Sequence, residues 1–398
     1  MERISRRNGL LIVDTVTKYY SFIKERPALF KGSHDVFTPR VIVEAICNQF
    51  QHQEYLVLYN IEFVISLVYT YKIDPKNIMF YSDHANKTAI AQKLGVKYET
   101  NLDNIFMKSR PVMLINPPYT NGESDASEIY THIIDNCINK FNPIAIGGVT
   151  PENLINGGQK KAALRKKIFK KYGLKDLRFL NQKRDWGGKI KVDTIFWVVE
   201  EGYYGPTVVT SRHSDIPYTV SNTLSEYIDG ATQDVHDWLL RIQTANKISL
   251  KMPKKTGHAG PQIKISKDGI DNYFVEQGQE FYSHNTEWRV AFGYMRCNTC
   301  AVIPPGVSIP GKYRYINFGT NESNARKFAS YMLSEPVRFI MKLIYTSRTL
   351  DNPQLAYVPH IDVNQFNCID NNVLYQYWNV DPTVQQFIHD TVGDEVPF

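Results

Sequence analysis

Short β-rich runs alternate with helical patterns between residues 55 and 200, and this alternation constrains the fold more than any other feature. The predicted strands lie at 55–59, 78–81, 112–115, 144–149, 177–180 and 194–200. The predicted helices lie at 61–71, 86–94, 124–140 and 158–172. Strands that alternate with helices indicate a doubly wound α/β fold with a mainly parallel sheet. Ligands of such sheets bind at the carboxyl ends of the strands.

The flanking parts of the chain have different patterns. Residues 1–31 have apolar side chains at helical spacing, and a second helix is predicted at 40–50. After Gly205-Pro206, short strand-like runs mix with Gly, Pro, Asn and Ser, and residues 324–346 are again helical in pattern. We therefore predict one domain at 1–205, with an N-terminal helical part at 1–50, and a mixed α+β domain at 206–398.

The composition is that of a folded protein without a disulfide framework. Of 398 residues, 43% are hydrophobic and 22% are charged, which excludes a disordered or collagen-like chain. The five cysteines are odd in number and scattered, which favours a reducing compartment. We find no signal peptide and no apolar stretch long enough to span a membrane. We therefore expect a cytoplasmic protein. The net charge of +6 is modest, so any contact with nucleic acid is expected at a local basic patch rather than over the whole surface.

The tetrapeptide Asn116-Pro117-Pro118-Tyr119 directly follows the predicted strand at 112–115. An amide oxygen and a backbone carbonyl can both accept hydrogen bonds from an exocyclic amine, and a Pro-Pro step holds that carbonyl in a rigid, extended chain. A tyrosine ring offers a face for stacking a base. The alternative is a Pro-rich turn after a buried strand, and the four residues alone do not decide between the two.

The tetrapeptide resembles the Asp/Asn/Ser-Pro-Pro-Tyr/Phe motif of the amino-methyltransferases. Phe37-Thr38-Pro39, the segments 147–165 and 179–198 and the tail at 321–375 resemble, in the same order, the gamma-arrangement N6-adenine DNA methyltransferases of type II restriction-modification systems. This resemblance implies a Rossmann-like methyltransferase sheet, with the target-recognition domain at 206–398. It implies S-adenosylmethionine as the cofactor, no metal, and double-stranded DNA as the partner. It also implies a prokaryotic or viral source, and it is compatible with a cognate restriction endonuclease as a partner. It leaves the oligomeric state open.

The resemblance also assigns roles to residues. Asn116 and the Pro117 carbonyl would bind the adenine amine, Pro118 would keep the chain rigid and Tyr119 would stack on the extruded base. The residues that would hold the methyl donor are Phe37, Thr38, Pro39, Asn60, Glu62, Asp83 and Asp103. Glu62 could equally be an acid favoured at a helix N-terminus, Asp83 a turn or cap residue, and Asp103 a solvated loop residue.

One turn departs from the family pattern. The family normally carries a strand ending in Asp-Pro-x-x-Gly, where glycine lets the backbone approach the donor. The corresponding residues here, 57–63, contain no glycine and no Asp-Pro step. This departure puts donor binding in question.

Basic residues are concentrated at 158–178, after the loop Asn156-Gly157-Gly158. The candidates for contact with DNA phosphates are Lys160, Lys161, Arg165, Lys183, Arg184, Lys254 and Lys255. The alternative is a helix whose charges are simply solvated. Trp186 is a candidate for touching the flipped base, or else a buried anchor.

Other functions remain open at this point. The pair Cys297 and Cys300 has no second pair at zinc-binding spacing, so no metal site is predicted. The same tetrapeptide serves methylation of cytosine N4, of RNA or of a protein glutamine. A different class is a DNA-binding protein that kept the fold and lost the donor pocket.

Overall fold

The structure is a computed structural model. It describes residues 38–50, 54–119, 129–156, 159–187, 190, 192–221, 229–243, 248, 251, 261–265, 273–277, 286–293, 296–311, 313–344, 355 and 358–392. The helix predicted at 1–31 lies outside these residues. The chain divides into two compact units, residues 1–227 and 228–398.

Within the described residues, one nine-stranded sheet organises the first unit. Its strands are β1 (Tyr55–Leu58), β2 (Ile78–Tyr81), β3 (Lys97–Glu99), β4 (Val112–Ile115), β5 (Ala145–Pro151), β6 (Tyr172–Leu180), β7 (Thr194–Glu201), β8 (Thr207–Thr210) and β9 (Tyr218–Val220). Their spatial order is β3-β2-β1-β4-β5-β7-β6-β8-β9. Strands β1 to β5 run parallel, and β7 runs antiparallel to both β5 and β6. The predicted Rossmann-like α/β sheet is confirmed.

Helices cover both faces of this sheet. They are α1 (Arg40–Cys47), α2 (Ile61–Ile65, continued by a π-helical turn at Ser66–Thr70), α3 (Ala85–Lys93), α4 (Ile129–Phe141), α5 (Asn153–Asn156) and α6 (Gln159–Lys171). Leu56 and Leu58 of β1 pack in a cluster with α4 and α6, whereas Tyr55 and Val57 pack in a cluster with α1 and α2. Parallel strands buried on both faces produce the continuous apolar runs seen in the sequence.

Helix α1 packs directly on β5 because β5 carries a glycine at the point of contact. A Cβ on Gly147 would lie 2.6 Å from Ile46 Cγ2 and 2.9 Å from Phe50 Cε2, distances that real Cβ contacts do not reach. The missing side chain therefore lets α1 lie against the sheet. This packing anchors the helix that Thr38 and Pro39 precede.

The division between the units lies after β9, beyond the predicted boundary at 205/206. Strand β8 pairs with β6 in parallel and β9 pairs with β8, so residues 207–220 extend the first sheet. Residues 207–220 have short apolar runs separated by turns, like the rest of the second part of the chain. The sequence pattern alone therefore places these residues in the second domain.

The second unit is a mixed α+β domain, as predicted. Its described strands are β10 (Pro261–Ile265), β11 (Tyr273–Gln277), β12 (Arg289–Gly293), β13 (Arg296–Ile303) and β14 (Tyr313–Asn317). Its described helices are α7 (Gln233–Ile242), α8 (Glu322–Leu333), α9 (Glu335–Ile344), α10 (Asn371–Tyr377) and α11 (Pro382–Val392). The helical pattern at 324–346 corresponds to two helices that meet at Ser334, since Pro336 has no N–H and suits the first turn of a new helix.

Candidate active site at the carboxyl edge of the sheet

Three parallel strands of the first unit end side by side. Leu58, the last residue of β1, is in register with Tyr81 of β2 and with Ile115 of β4. The residues that follow these strands therefore leave the sheet at the same edge. They include the predicted site residues Asn60, Asp83 and Asn116.

A single hydroxyl group joins two of these strand ends. Thr38 is fully buried, and its Oγ1 accepts hydrogen bonds from Asn60 Nδ2 at 2.6 Å and from Asn116 Nδ2 at 2.7 Å. Asn60 and Asn116 are themselves buried. Three segments predicted separately, at 37–39, 57–63 and 116–119, thus meet at the Thr38 oxygen. Phe37 lies outside the described residues, and Pro39 is the N-cap of α1.

The turn after β1 has a glycine-like backbone without a glycine. Tyr59 has a φ of 68°, in the left-handed region that is costly for residues with a side chain. Its N–H donates to the Tyr81 carbonyl at 2.7 Å, and its carbonyl accepts from Lys87 Nζ at 2.8 Å. Its ring packs edge-on against Tyr81 at 5.0 Å, and burial raises the pKa of the Tyr59 hydroxyl. The turn after β1 therefore contains a left-handed residue although the sequence there has no glycine.

Sequence reasoning missed Lys87 and Tyr81. Lys87 is only 2% exposed although it lies on α3, where a lysine is ordinarily solvated. Tyr81 is half-buried at the end of β2, and burial raises the pKa of its hydroxyl. The only sequence signal for either is its nearness to Asp83, which Tyr81 precedes by two residues and Lys87 follows by four.

The predicted donor-binding acids occupy different environments. Asp83 is exposed and lies two residues after the end of β2. The Asp103 carboxylate is also exposed, while Lys140 Nζ donates to its backbone carbonyl at 2.9 Å. Glu62 is buried in the first turn of α2, where its backbone N–H donates to Asn60 Oδ1 at 3.0 Å. Glu62 therefore lies at a helix N-terminus, as the alternative interpretation has it, and it is buried there.

The tetrapeptide itself is largely buried. Pro117 and Tyr119 are buried and Pro118 is half-buried. Among the described residues, the Tyr119 hydroxyl has no hydrogen-bond partner, and burial raises its pKa. A base that stacks on this ring would have to displace the groups that cover it.

The basic residues proposed to contact DNA differ in their exposure and in the groups that they bond. Arg165 is buried and donates to the Leu154 carbonyl at 3.4 Å, so its guanidinium holds α6 against α5. Arg184 is exposed but bonds Asp185 and Asp215, and the bonds to Asp185 raise its pKa. Lys183 is exposed and Lys161 is half-buried. The Lys160 side chain and the residues Lys254 and Lys255 lie outside the described part.

Two further lysines of α6 are bound to neighbouring residues. Lys167 Nζ contacts Asp135 and also donates to Asn139 Oδ1 at 2.6 Å, and Lys171 bonds Asn142. Lys166 and Lys170 are exposed on the same helix. The basic run of the sequence is therefore partly an internal network rather than one solvated track.

Trp186 is a buried anchor, the second of the two readings of this residue. It is buried, and its indole Nε1 donates to Thr194 Oγ1 at 3.0 Å.

Among the described residues, no group of three or more His, Cys, Asp or Glu side chains is arranged to hold a metal ion. Across the same residues, no helix combines the length and apolarity needed to cross a membrane.

No protein-family model matches the chain, and no curated protein matches it. Solved structures do match. A chain from a structure of type I restriction-modification complex assembly is 16% identical, covers 50% of this chain and 48% of its own, and has a TM-score of 0.38. The type IIG restriction endonuclease BpuSI is 12% identical, with coverages of 92% and 62% and a TM-score of 0.41.

A third similar structure is the methyltransferase subunit of a type I restriction-modification system from Streptococcus thermophilus. It is 11% identical, with coverages of 55% and 56% and a TM-score of 0.34. The chain thus spans about half to three fifths of the lengths of these three proteins. Because the identities and TM-scores are this low, these matches do not indicate the function, and we infer the function from the geometry of the site.

Proposed function

We propose that the protein transfers a methyl group from S-adenosylmethionine to the N6 amine of adenine in double-stranded DNA. The observation that carries this proposal is the buried Thr38 hydroxyl, which bonds Asn60 at 2.6 Å and Asn116 at 2.7 Å. It brings the strand end that would face the methyl donor next to the strand end that would face the amine.

The residues supply what such a transfer needs. S-adenosylmethionine supplies an electrophilic methyl group when bound. The Asn116 Oδ1 and the Pro117 carbonyl accept hydrogen bonds from the amine, draw its lone pair out of conjugation with the ring and aim it. The two prolines keep these acceptors in place, so catalysis is mostly a matter of positioning. Tyr119 would form the wall on which the extruded base stacks.

The carboxyl edge also fits the donor. Asp83 is an exposed carboxylate after β2, the position where a ribose diol is bound in doubly wound sheets. Asp103 is exposed, and Phe106, three residues later, has an exposed ring that suits a purine. Asn60, Glu62 and Thr38 complete the donor side of the proposal.

DNA contact is assigned to exposed cations. Lys161, Lys166, Lys170 and Lys183 are proposed because their side chains are exposed or half-buried, and Lys160, Lys254 and Lys255 remain candidates from the sequence. The half-buried Lys167 and Lys171 are left out because each bonds a neighbouring side chain. Arg165 is left out because it is buried, and Arg184 contributes little charge because two carboxylates bind it. Residues 228–398 would read the DNA sequence.

A nucleoside digest tests the proposal. The full chain is incubated with unmethylated double-stranded DNA and S-adenosylmethionine, and the hydrolysed DNA is examined by mass spectrometry. We expect N6-methyladenine. N4-methylcytosine would instead favour the cytosine reading, and methylated RNA or protein in parallel reactions would identify those substrates. No methylated product and no donor binding by calorimetry would leave a DNA-binding protein with a degenerate donor pocket.

Lys87 provides a separate prediction about the donor turn. Lys87→Met removes the ammonium that holds the Tyr59 carbonyl, a charge-assisted bond of about 1.5–3 kcal/mol. We expect the dissociation constant of S-adenosylmethionine to rise roughly tenfold, since about 1.4 kcal/mol corresponds to a factor of ten. Isothermal calorimetry measures the constant. Lys93→Met, at an exposed position of the same helix, is the matched control, and equal affinities in the two variants would contradict the prediction.

A further inference from the structure

Thr38 occupies a position that donor binding alone does not explain. Its hydroxyl oxygen has two lone pairs, and the structure gives each of them an amide donor, one from Asn60 and one from Asn116. These two asparagines follow different strands, and Thr38 itself precedes α1. The hydroxyl is therefore the point at which three segments of the site are joined.

The orientation of the Asn60 amide is fixed by its other hydrogen bond. Its Oδ1 accepts the backbone N–H of Glu62 at 3.0 Å, as the N-cap of α2. Its Nδ2 must therefore be the atom that faces Thr38. Asn60 thus fixes one lone pair of the Thr38 oxygen and holds the hydroxyl in place.

The orientation of the Asn116 amide decides what that side chain can do. With Nδ2 donated to Thr38, as observed, Oδ1 is at the other corner of the amide and can accept from an amine. In the flipped orientation, Oδ1 would accept from Thr38 and the NH₂ group would face the amine. Two donors would then oppose each other, and the amine could not be activated.

We propose that Thr38 is a positioning residue that holds the Asn116 amide in the orientation able to accept a substrate amine, and that it couples this amide to Asn60 on the donor side. This inference rests on the proposed methyl transfer. It assigns Thr38 a role toward the amine as well as toward the donor.

Two substitutions at Thr38 separate positioning from packing. Thr38→Val keeps the volume and removes the hydroxyl, whereas Thr38→Ser keeps the hydroxyl. We expect kcat for DNA methylation to fall about 100-fold in Thr38→Val, the size of effect that small misplacements of reacting groups produce, with the KM for DNA little changed. Thr38→Ser should restore kcat to within about a few fold of the native value. Thr207→Val is the control, because Thr207 is equally buried and bonds the Leu174 carbonyl, away from the site.

A spectroscopic readout does not depend on activity. In a ¹⁵N-asparagine-labelled full chain, the side-chain NH₂ signal of Asn116 is identified by its absence from Asn116→Asp. We expect slow proton exchange for this signal in the native protein and in Thr38→Ser, and faster exchange in Thr38→Val. Rapid exchange in the native protein would overturn the inference, even if Thr38→Val does not fold.

The two proposals fail in different ways. Protected Asn116 protons together with no methylation of any substrate would remove the proposed function and keep the coupling of Thr38 to Asn116. Methylation by the native protein with an unchanged kcat in Thr38→Val would keep the function and overturn the positioning role. A loss of activity in Thr207→Val as large as in Thr38→Val would overturn it as well.

Discussion

Asn116→Ala is expected to lower kcat for DNA methylation by about 10²–10³-fold, the range found when one preorganised hydrogen-bonding group is removed from a reacting centre. The substitution removes the Oδ1 that accepts the amine, while the Pro117 carbonyl remains. Because Asn60 and Thr38 keep their own bond, the donor side should retain its structure and its affinity for S-adenosylmethionine. The prediction is therefore a loss in kcat with a nearly constant dissociation constant for the donor.

The measurement combines single-turnover methylation with calorimetry. Asn139→Ala is the matched control, because Asn139 is an exposed asparagine on α4 whose described contact is with Lys167. A kcat for Asn116→Ala within tenfold of the native value would contradict the assignment of Asn116. A loss of donor binding equal to the loss of activity would instead place Asn116 in the donor pocket.

Much of the sheet was predictable because buried parallel strands are continuous apolar runs. Strand β3 was not, since Lys97–Glu99 carries two charged residues in three and has no apolar run. Strand β6 begins at Tyr172, five residues earlier than the predicted 177, because Gly173, Lys175 and Asp176 are disfavoured in strands. A bulge between Leu174 and Asp176 accommodates this stretch.

The site was predictable as three separate motifs but not as one constellation. Thr38 and Asn116 are 78 positions apart, so their contact depends on how α1 packs against β5. The left-handed Tyr59 was not predictable either, because a tyrosine gives no sign of a positive φ. Lys87 reads as a surface residue of a helix, and only the tertiary structure brings its ammonium to a buried carbonyl.

The largest expected loss of stability comes from breaking a buried ion pair beyond the carboxyl end of β5. Glu152 is 1% exposed, and its carboxylate accepts a hydrogen bond from the Arg212 guanidinium. Arg212 also lies 3.5 Å from the Asp193 carboxylate and stacks over the Phe179 ring at 5.6 Å. This pair joins the segment after β8 to the segment after β5.

Arg212→Met should cost about 3–5 kcal/mol of folding free energy, because it takes the cationic partner away from a carboxylate that is out of water. Glu152→Gln combined with Arg212→Met should recover much of this loss, since no full charge then remains at Glu152. Arg40→Met is the control, because the Arg40–Glu44 pair is 42% and 30% exposed and is worth at most about 1 kcal/mol.

The protein has two compact units, so the measurement must report on the first of them. Hydrogen exchange of peptides from β5 and β7, followed by mass spectrometry along a urea series, gives the free energy of opening for this part of the sheet. A double-mutant cycle then yields the coupling between Glu152 and Arg212. If the two single changes simply add, the pair is not coupled and the contact is only steric packing. A coupling of several kcal/mol would mean that the ion pair holds the strand ends beside the site together, so Arg212→Met should weaken methylation without touching any reacting group.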